Sequence, residues 1–149
     1  MKPAKLCLAA TCLAAVLTSG TAKAQPAQGD ALAARLDKIA SRLDTLQYTA
    51  CMKAAAATVD EHNCLTDELD RQNKALNQVY HQVFGAMSVD QQQQLRSDER
   101  AWIKQRDANC LAAGKDVEGG SDYPVVVDGC QLQQTELRIV YLRHMASSR

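Results

Sequence analysis

The stretch SVDQQQQLRSDERAWIKQRDANC, residues 88–110, decides the fold class of this chain. Ser88 followed three residues later by Gln91 is the capping-box pattern that begins many helices. Beyond this cap, inward-facing residue types recur at helical spacing, at Leu95, Trp102, Ile103, Arg106, Cys110 and Leu111. The pattern predicts one amphipathic helix from about residue 89 to residue 112.

A second helix precedes this stretch, separated from it by a tight connection at residues 85–88. Its apolar positions share one helical face, at Leu65, Leu69, Leu76, Tyr80, Val83 and Met87. Thr66, followed by acidic residues, is a candidate cap for its beginning. The pattern Thr58 to Glu61 is a capping box that predicts a separate short helical turn before Cys64.

Downstream of residue 113 the helical period is lost. Residues 114–129 are rich in glycine and other turn formers, so we predict one long Gly-rich loop with a brief extended piece at residues 125–127. The helical spacing returns at Leu132, Thr135, Ile139 and Leu142. These positions predict a last helix over residues 131–146.

The N-terminal part carries a leucine-rich stripe at Leu32, Leu36, Ile39, Leu43 and Leu46. This spacing predicts an amphipathic helix over residues 29–47. Two interpretations of the stripe are open: it folds back onto its own domain, or it forms a short coiled-coil seam and so a homo-oligomer. Together the patterns predict an all-α chain, a small disulfide-stapled bundle of about four helices with one long loop.

Residues 1–24 have the pattern of a cleavable secretory signal. Two lysines precede an apolar run, and Ala22-Lys23-Ala24 offers small residues to a peptidase. A lipid anchor at Cys12 is a lesser alternative, because a threonine precedes that cysteine where a small Gly or Ala is expected. We therefore expect a periplasmic or secreted protein with three parts: the signal at 1–24, an N-terminal helical segment at 25–48 and the main helical domain at 49–149.

Charge narrows the classes of partner. The predicted cleavage removes three of the 17 basic residues and none of the 17 acidic residues, which leaves a net charge of −3. Nucleic-acid binding needs a clustered basic face, and the sequence has no such stretch. The negative net charge favours a cationic partner. The apolar run of the signal is too short to span a membrane, so we predict no membrane span.

Four cysteines remain after cleavage, Cys51, Cys64, Cys110 and Cys130, and an even number in an oxidising compartment predicts two disulfides. Of the three pairings we favour the local one, 51 with 64 and 110 with 130, because each bond closes a segment that contains a break signal. A continuous helix would hold residues 51 and 64 ~19.5 Å apart, whereas a disulfide needs ~4.4 to 6.8 Å between Cα atoms. Zinc bound near His62 is the rival interpretation, but no C-x-x-C spacing supports it.

The chain resembles the LprI-type lysozyme inhibitors, a family of small secreted bacterial domains, over roughly residues 51–142. The most specific part of the resemblance is the block at 101–110, AWIKQRDANC. Further matching positions are Cys64, Leu76, Asn77, Tyr80, Gly119 to Ser121, Tyr123, Pro124, Cys130, Thr135 and Arg138. The resemblance implies a disulfide-linked domain that inhibits lysozyme by binding.

The residues of this motif also have a structural explanation. Asn77, Tyr80, Trp102 and Arg106 fall at helical spacing, so we predict that they are core aromatics with polar neighbours. Asp67, Glu68 and Asp70 are explained by the first turn of a helix, where the helix dipole stabilises negative charge. No set of catalytic groups can be assembled around the scattered histidines. We therefore predict that the protein is not an enzyme and has no cofactor and no metal.

Two functions fit this sequence. The first is a secreted or periplasmic binding protein that inhibits a cationic lysozyme, with a partner-binding loop that presents Ser121, Asp122 and Tyr123. Its support is an acidic excess between Cys110 and Cys130, which would steer a cationic partner. The alternative is a non-enzymatic structural or protein-interaction module of the cell envelope, which the leucine stripe favours.

Overall fold

The computed structural model describes residues 34–36 and 38–148, and these residues are helical or in turns and connections, with no strand among them. The prediction of an all-α fold is confirmed. The helices with defined bounds are α1 (Leu46–Ala54), α2 (Thr58–Gly85), α3 (Val89–Ala113) and α4 (Tyr123–Ser147), with a 3-10 turn at Lys115–Val117. The predicted signal peptide, residues 1–24, lies outside the described residues.

The predicted helix over residues 29–47 is wrong at its C-terminal end. Residues 38–40 are helical, but the backbone turns at 41–43, and α1 begins only at Leu46. Thr45 is the cap of α1, since its Oγ1 accepts a hydrogen bond from the N–H of Tyr48 at 3.1 Å. The turn brings Leu43 against the core, while Leu46 is 86% exposed, so the stripe splits between two elements.

The break required between the first two cysteines is present at residues 55–57, between α1 and α2. Asp60 begins α2 by accepting hydrogen bonds from the N–H groups of Ala56 and Ala57 at 3.2 and 3.1 Å. The prediction of a separate turn before a helix capped by Thr66 is wrong. The helix is continuous from Thr58, and the hydroxyl of Thr66 donates to a carbonyl one turn earlier within it.

Helix α3 agrees with its prediction, including the reciprocal cap of Ser88 and Gln91. Its buried face is narrower than the sequence pattern suggested. Leu95 and Cys110 are buried, whereas Ile103 and Leu111 are exposed. Because neighbouring residues of a helix point about 100° apart, Ile103 and Leu111 lie one position off the stripe that includes Trp102.

The long loop predicted at residues 114–129 is much shorter, because α4 begins at Tyr123. Pro124 lies in the first turn of α4, where its missing N–H removes no helical hydrogen bond. The valine run is therefore helical and not extended, and Val127 is buried. What remains of the loop, residues 114–122, contains the 3-10 turn and one glycine with a positive φ, Gly119 at 83°.

Helix α4 lies at the centre of the bundle and packs against both α2 and α3. The core cluster is formed by Leu76, Val79, Val83, Leu95, Ile139 and Leu142. Disulfides hold the ends of this arrangement, joining Cys51 to Cys64 and Cys110 to Cys130, with Cα–Cα distances of 5.7 and 5.4 Å. This is the local pairing that we favoured. No helix in the described part is both long enough and apolar enough to cross a membrane.

Candidate functional site

The four residues assigned to a structural motif line one groove. Asn77 and Tyr80 come from α2, and Trp102 and Arg106 come from α3; together with neighbouring side chains they enclose about 240 Å³. Asn77 is exposed and the other three are half-buried. The helical spacing of each pair aligns them on the facing sides of two helices, which is why a motif split over 30 residues of sequence becomes a single surface.

Trp102 lies between two guanidinium groups in this groove. The Cζ atoms of Arg106 and Arg138 are 5.2 and 5.3 Å from its ring centroid, within the range of cation–π contacts. Glu99 holds Arg138 in place through hydrogen bonds of 2.9 and 2.6 Å to Oε2. Arg106 also donates to the Oγ1 atom of Thr135 at 3.3 Å, so the groove is tied to α4 beneath it.

The predicted partner-binding residues lie at the turn before α4. Ser121 and Asp122 are exposed, and Asp122 accepts hydrogen bonds from the hydroxyls of Ser121 and Thr58 at 3.2 and 3.4 Å. Tyr123 is half-buried and is the first residue of α4. A Cβ atom added at Gly114 would lie 2.9 Å from the Tyr123 ring, so this ring packs closely over the end of α3.

The acidic excess of this region is smaller than the sequence suggested. Asp128 belongs to α4, where its Oδ2 atom lies 3.0 Å from Nε2 of His62, while Glu118 is paired with Lys115 three residues earlier. The acidic residues of the turn that have no cationic partner among the ion pairs of the described residues are Asp116 and Asp122. His62 therefore binds a carboxylate, and its neighbour Cys64 is occupied by a disulfide and not available to zinc.

Sequence reasoning missed a cluster of three carboxyl groups where the segment before α1 meets the bundle. Glu68 of α2 is 0% exposed and Glu136 of α4 is 3% exposed. Asp44, which precedes α1, shares a side-chain hydrogen bond with Glu136. One sequence feature could have indicated that these glutamates are buried. Both fall within apolar helical stripes, and Glu136 lies between Leu132 and Ile139. The helix first turn does not explain Glu68, because α2 begins ten residues earlier.

The environments of these carboxyl groups drive their pKa values in opposite directions. Burial raises the pKa of Glu136 to about 8, and the negative charges of Asp44 and Glu68 add to the effect. Burial acts on Glu68 as well, but hydrogen bonds from Thr45, Gln72 and Arg71 outweigh it and lower its pKa. Burial also raises the pKa of Asp44, against the hydrogen bond from Glu136. Glu136 therefore holds a proton at neutral pH and donates it toward Asp44.

No group of three or more His, Cys, Asp or Glu side chains within residues 34–36 and 38–148 could hold a metal ion. The described side chains that meet at these surfaces are suited to contacts, through exposed carboxylates at the turn and aromatic and guanidinium groups in the groove.

Comparison with known proteins agrees with this picture. The sequence profile described as lysozyme inhibitor LprI matches residues 51–142. A protein of Rhizobium meliloti (strain 1021), described as uncharacterized, is 29% identical over 111 residues, covering 66% of this chain and 79% of its own length. No solved structure matches the chain. Because the profile spans more than half of the chain, from the middle of α1 to near the end of α4, this protein belongs to the LprI lysozyme inhibitor family.

Proposed function

We propose that this protein acts outside the cytoplasm and inhibits a lysozyme by binding it, without catalysing a reaction. The observation that carries the proposal is the family match, which includes both disulfides and most of the helical bundle. The disulfides add support, since such bonds persist in oxidising compartments and are rare in the cytosol. We place the protein in the periplasm or the secreted fraction.

We propose the turn before α4 as the contact surface, with Ser121 and Asp122 reaching the partner directly. The bond between Cys110 and Cys130 fixes the ends of the two helices that flank this turn. A segment held in this way loses little conformational freedom on binding. Tyr123 packs on Gly114 and so supports the turn, and because it is half-buried only part of its side chain is accessible to a partner.

Charge supports a cationic partner for this surface. Asp116 and Asp122 are exposed at the turn, and neither is neutralised by one of the ion pairs in the described part. Lysozymes are commonly cationic, so these carboxylates would raise the rate of encounter more than the lifetime of the complex. The expected net charge of −3 for the mature chain acts in the same direction.

The second candidate function, a protein-interaction module of the cell envelope, is favoured by apolar side chains near α1. Leu46 is 86% exposed and Val59, at the beginning of α2, is 63% exposed. Leu36, from the predicted oligomer segment 29–47, is also exposed. Association of two copies through this surface would appear as a dimer in sedimentation, and Leu46→Ser would abolish it.

Binding kinetics with a cationic lysozyme test the proposed surface. Asp122→Lys is expected to lower the association rate constant about tenfold at low ionic strength and to change the dissociation rate little. Asp90→Lys is the matched control: Asp90 is also exposed, and it lies in the first turn of α3, at the end opposite the proposed surface.

The comparison of the two variants shows whether Asp122 acts through its place at the interface or only through the net charge of the protein. Equal losses in Asp122→Lys and Asp90→Lys would show that only the overall charge matters and would remove the turn from the interface. Circular dichroism of both variants is the check that the helices are intact.

A further inference from the structure

A small cavity of about 170 Å³ lies where the segment before α1 meets α1 and α4. It is lined by Ala40, Ser41, Asp44, Tyr48, Gly129, Leu132, Gln133 and Glu136. None of these residues lines the groove around Trp102, and none belongs to the turn before α4. The cavity is thus a third feature, which the proposed function does not use.

Among the described residues, those that line the cavity bring oxygen acceptors and no cationic side chain. Glu136 is 3% exposed, and its Oε1 atom has no hydrogen-bond partner in the described structure. Asp44 brings a second carboxyl group, and Ser41 and Tyr48 bring hydroxyl oxygens. A buried carboxyl oxygen without a partner has an energetic cost, which a ligand with hydrogen-bond donors would remove.

The neighbouring charged groups do not neutralise the carboxyl pair of Asp44 and Glu136. Arg71 of α2 is paired with Glu68, at 2.7 Å from Nε to Oε2. Asp44, Tyr48 and Glu136 line the cavity, and the further groups whose charges act on them from α2 are Glu61 and Glu68. Burial raises the pKa of the Tyr48 phenol, and the negative charges of Asp44 and Glu136 add to the effect.

We infer that this cavity binds a primary ammonium group, the group that a lysine side chain of a partner protein presents. An ammonium group has three N–H donors that point in different directions. The acceptors come from the segment before α1, from α1 and from α4. Acceptors on three separate elements suit the diverging donors of an ammonium group, whereas a guanidinium presents its donors in a single plane. A calcium ion takes six to eight oxygen ligands, and the described residues contain no such metal cluster.

Binding of an ammonium group is coupled to loss of the Glu136 proton. In the free protein, the proton on Glu136 is shared with the Asp44 carboxylate. A bound ammonium ion supplies positive charge in place of that proton, so Glu136 ionises and its proton passes to the buffer. The ammonium group keeps its own three protons and no covalent bond changes. The site therefore exchanges one proton for one cation.

The test is an NMR titration of the Glu136 carboxyl carbon in the wild-type chain, with n-butylammonium chloride as the probe. Tetramethylammonium chloride at equal ionic strength is the control, because it carries the same charge but no N–H donor. We expect n-butylammonium to lower the pKa of Glu136 by about one pH unit or more, a tenfold change in proton affinity. Equal titration curves in the two salts would overturn the inference.

Variants assign the effect to the cavity. Glu136→Gln identifies the resonance by its disappearance, and Asp44→Asn is expected to abolish the difference between the two salts. Asp67→Asn, at an exposed position of α2, is the matched control and is expected to retain the difference. The wild-type titration decides the question even if a cavity variant fails to fold.

The ammonium group could come from a free amine or from a lysine of a partner protein. Calorimetry of lysozyme binding in two buffers of different ionisation heat distinguishes these sources, because it measures the protons released on binding. Proton release on binding that disappears in Glu136→Gln identifies a lysine of the partner. If the lysozyme binds without proton release while n-butylammonium lowers the pKa of Glu136, the ligand is a small amine and the proposed function stands. If no lysozyme binds, the proposed function fails, while the n-butylammonium titration still decides the cavity.

Discussion

Thr45 and Glu68 are joined by two hydrogen bonds across 23 residues of sequence. The Thr45 hydroxyl donates to Glu68 Oε2 at 2.6 Å, and the Thr45 backbone N–H donates to Oε1 at 3.1 Å. Gln72 adds a bond of 2.7 Å to the carbonyl of Leu43. A buried carboxylate and an amide on α2 therefore attach the segment before α1 to the bundle.

Removal of this carboxylate is expected to destabilise the fold and free the segment. Glu68→Ala leaves the Thr45 N–H and the side chains of Arg71 and Gln72 without their acceptor, which we expect to cost about 3 kcal/mol in the free energy of unfolding. Asp67→Ala, at the exposed neighbouring position, is expected to change it by less than about 0.5 kcal/mol. Urea denaturation measures both, and equal effects would contradict the role of Glu68.

The pH dependence of stability follows from Glu136. Its pKa is about 8 in the folded chain against an ordinary value of 4.5, so the folded state binds more protons than the unfolded state between these values. This contribution is fully present below about pH 4.5 and is lost as the pH rises to about 8, with a slope of up to ~1.4 kcal/mol per pH unit.

Glu136→Gln isolates this contribution, because the amide can donate to Asp44 at every pH. The difference in unfolding free energy between the variant and the wild type is expected to grow in favour of the variant from pH 5 to pH 8 and then to level off. Denaturation at a series of pH values measures it. A difference that is constant with pH would show that Glu136 ionises normally in the folded chain.

Trp102 packs against the core cluster while it lies between Arg106 and Arg138. We expect Trp102→Ala to lower the free energy of unfolding by about 3 kcal/mol, from lost packing and two lost cation–π contacts. Trp102→Phe keeps an aromatic face and is expected to lose less than half as much. Chemical denaturation checks the order, and an Ala variant as stable as the wild type would make Trp102 a surface residue.

Gly114 is required by close packing. A Cβ atom there would lie 2.8 Å from Val127 Cγ2 and 2.9 Å from the Tyr123 ring, whereas a Cβ atom at Gly85 would meet nothing within 4 Å. We expect Gly114→Ala to cost about 1 to 3 kcal/mol through overpacking. Gly85→Ala is the matched control and is expected to be neutral. Thermal melting of the two variants compares them, and equal melting temperatures would contradict the close packing of α3 on α4.

Local patterns predicted the parts of the fold that depend on local chemistry. The cap at Ser88 predicted where α3 begins, and disulfide geometry predicted a break between residues 51 and 64. The predicted beginning of α4 was wrong because two features near Tyr123 resemble turn signals in composition. One is the glycine-rich stretch before Tyr123, and the other is Pro124. In the structure, Pro124 lies in the first helical turn, and burial of Val127 stabilises the helix that follows.

The carboxyl cluster could not be predicted in the same way. Asp44, Glu68 and Glu136 are far apart in sequence and meet only because the chain turns at residues 41–43. A glutamate in an apolar stripe usually indicates a helix edge, and only the packed structure distinguishes an edge from a buried site. The groove could be predicted in part. The resemblance named Asn77, Tyr80, Trp102 and Arg106, but it did not indicate that these residues share one surface.

The most direct test of the account is the lytic activity of purified lysozymes of several classes, titrated with residues 25–149 in the oxidised form. We expect the activity of at least one lysozyme to fall to zero near an equimolar ratio, and we expect reduction of the disulfides to weaken this inhibition. Undiminished activity of every lysozyme at a large excess of the oxidised protein would contradict it.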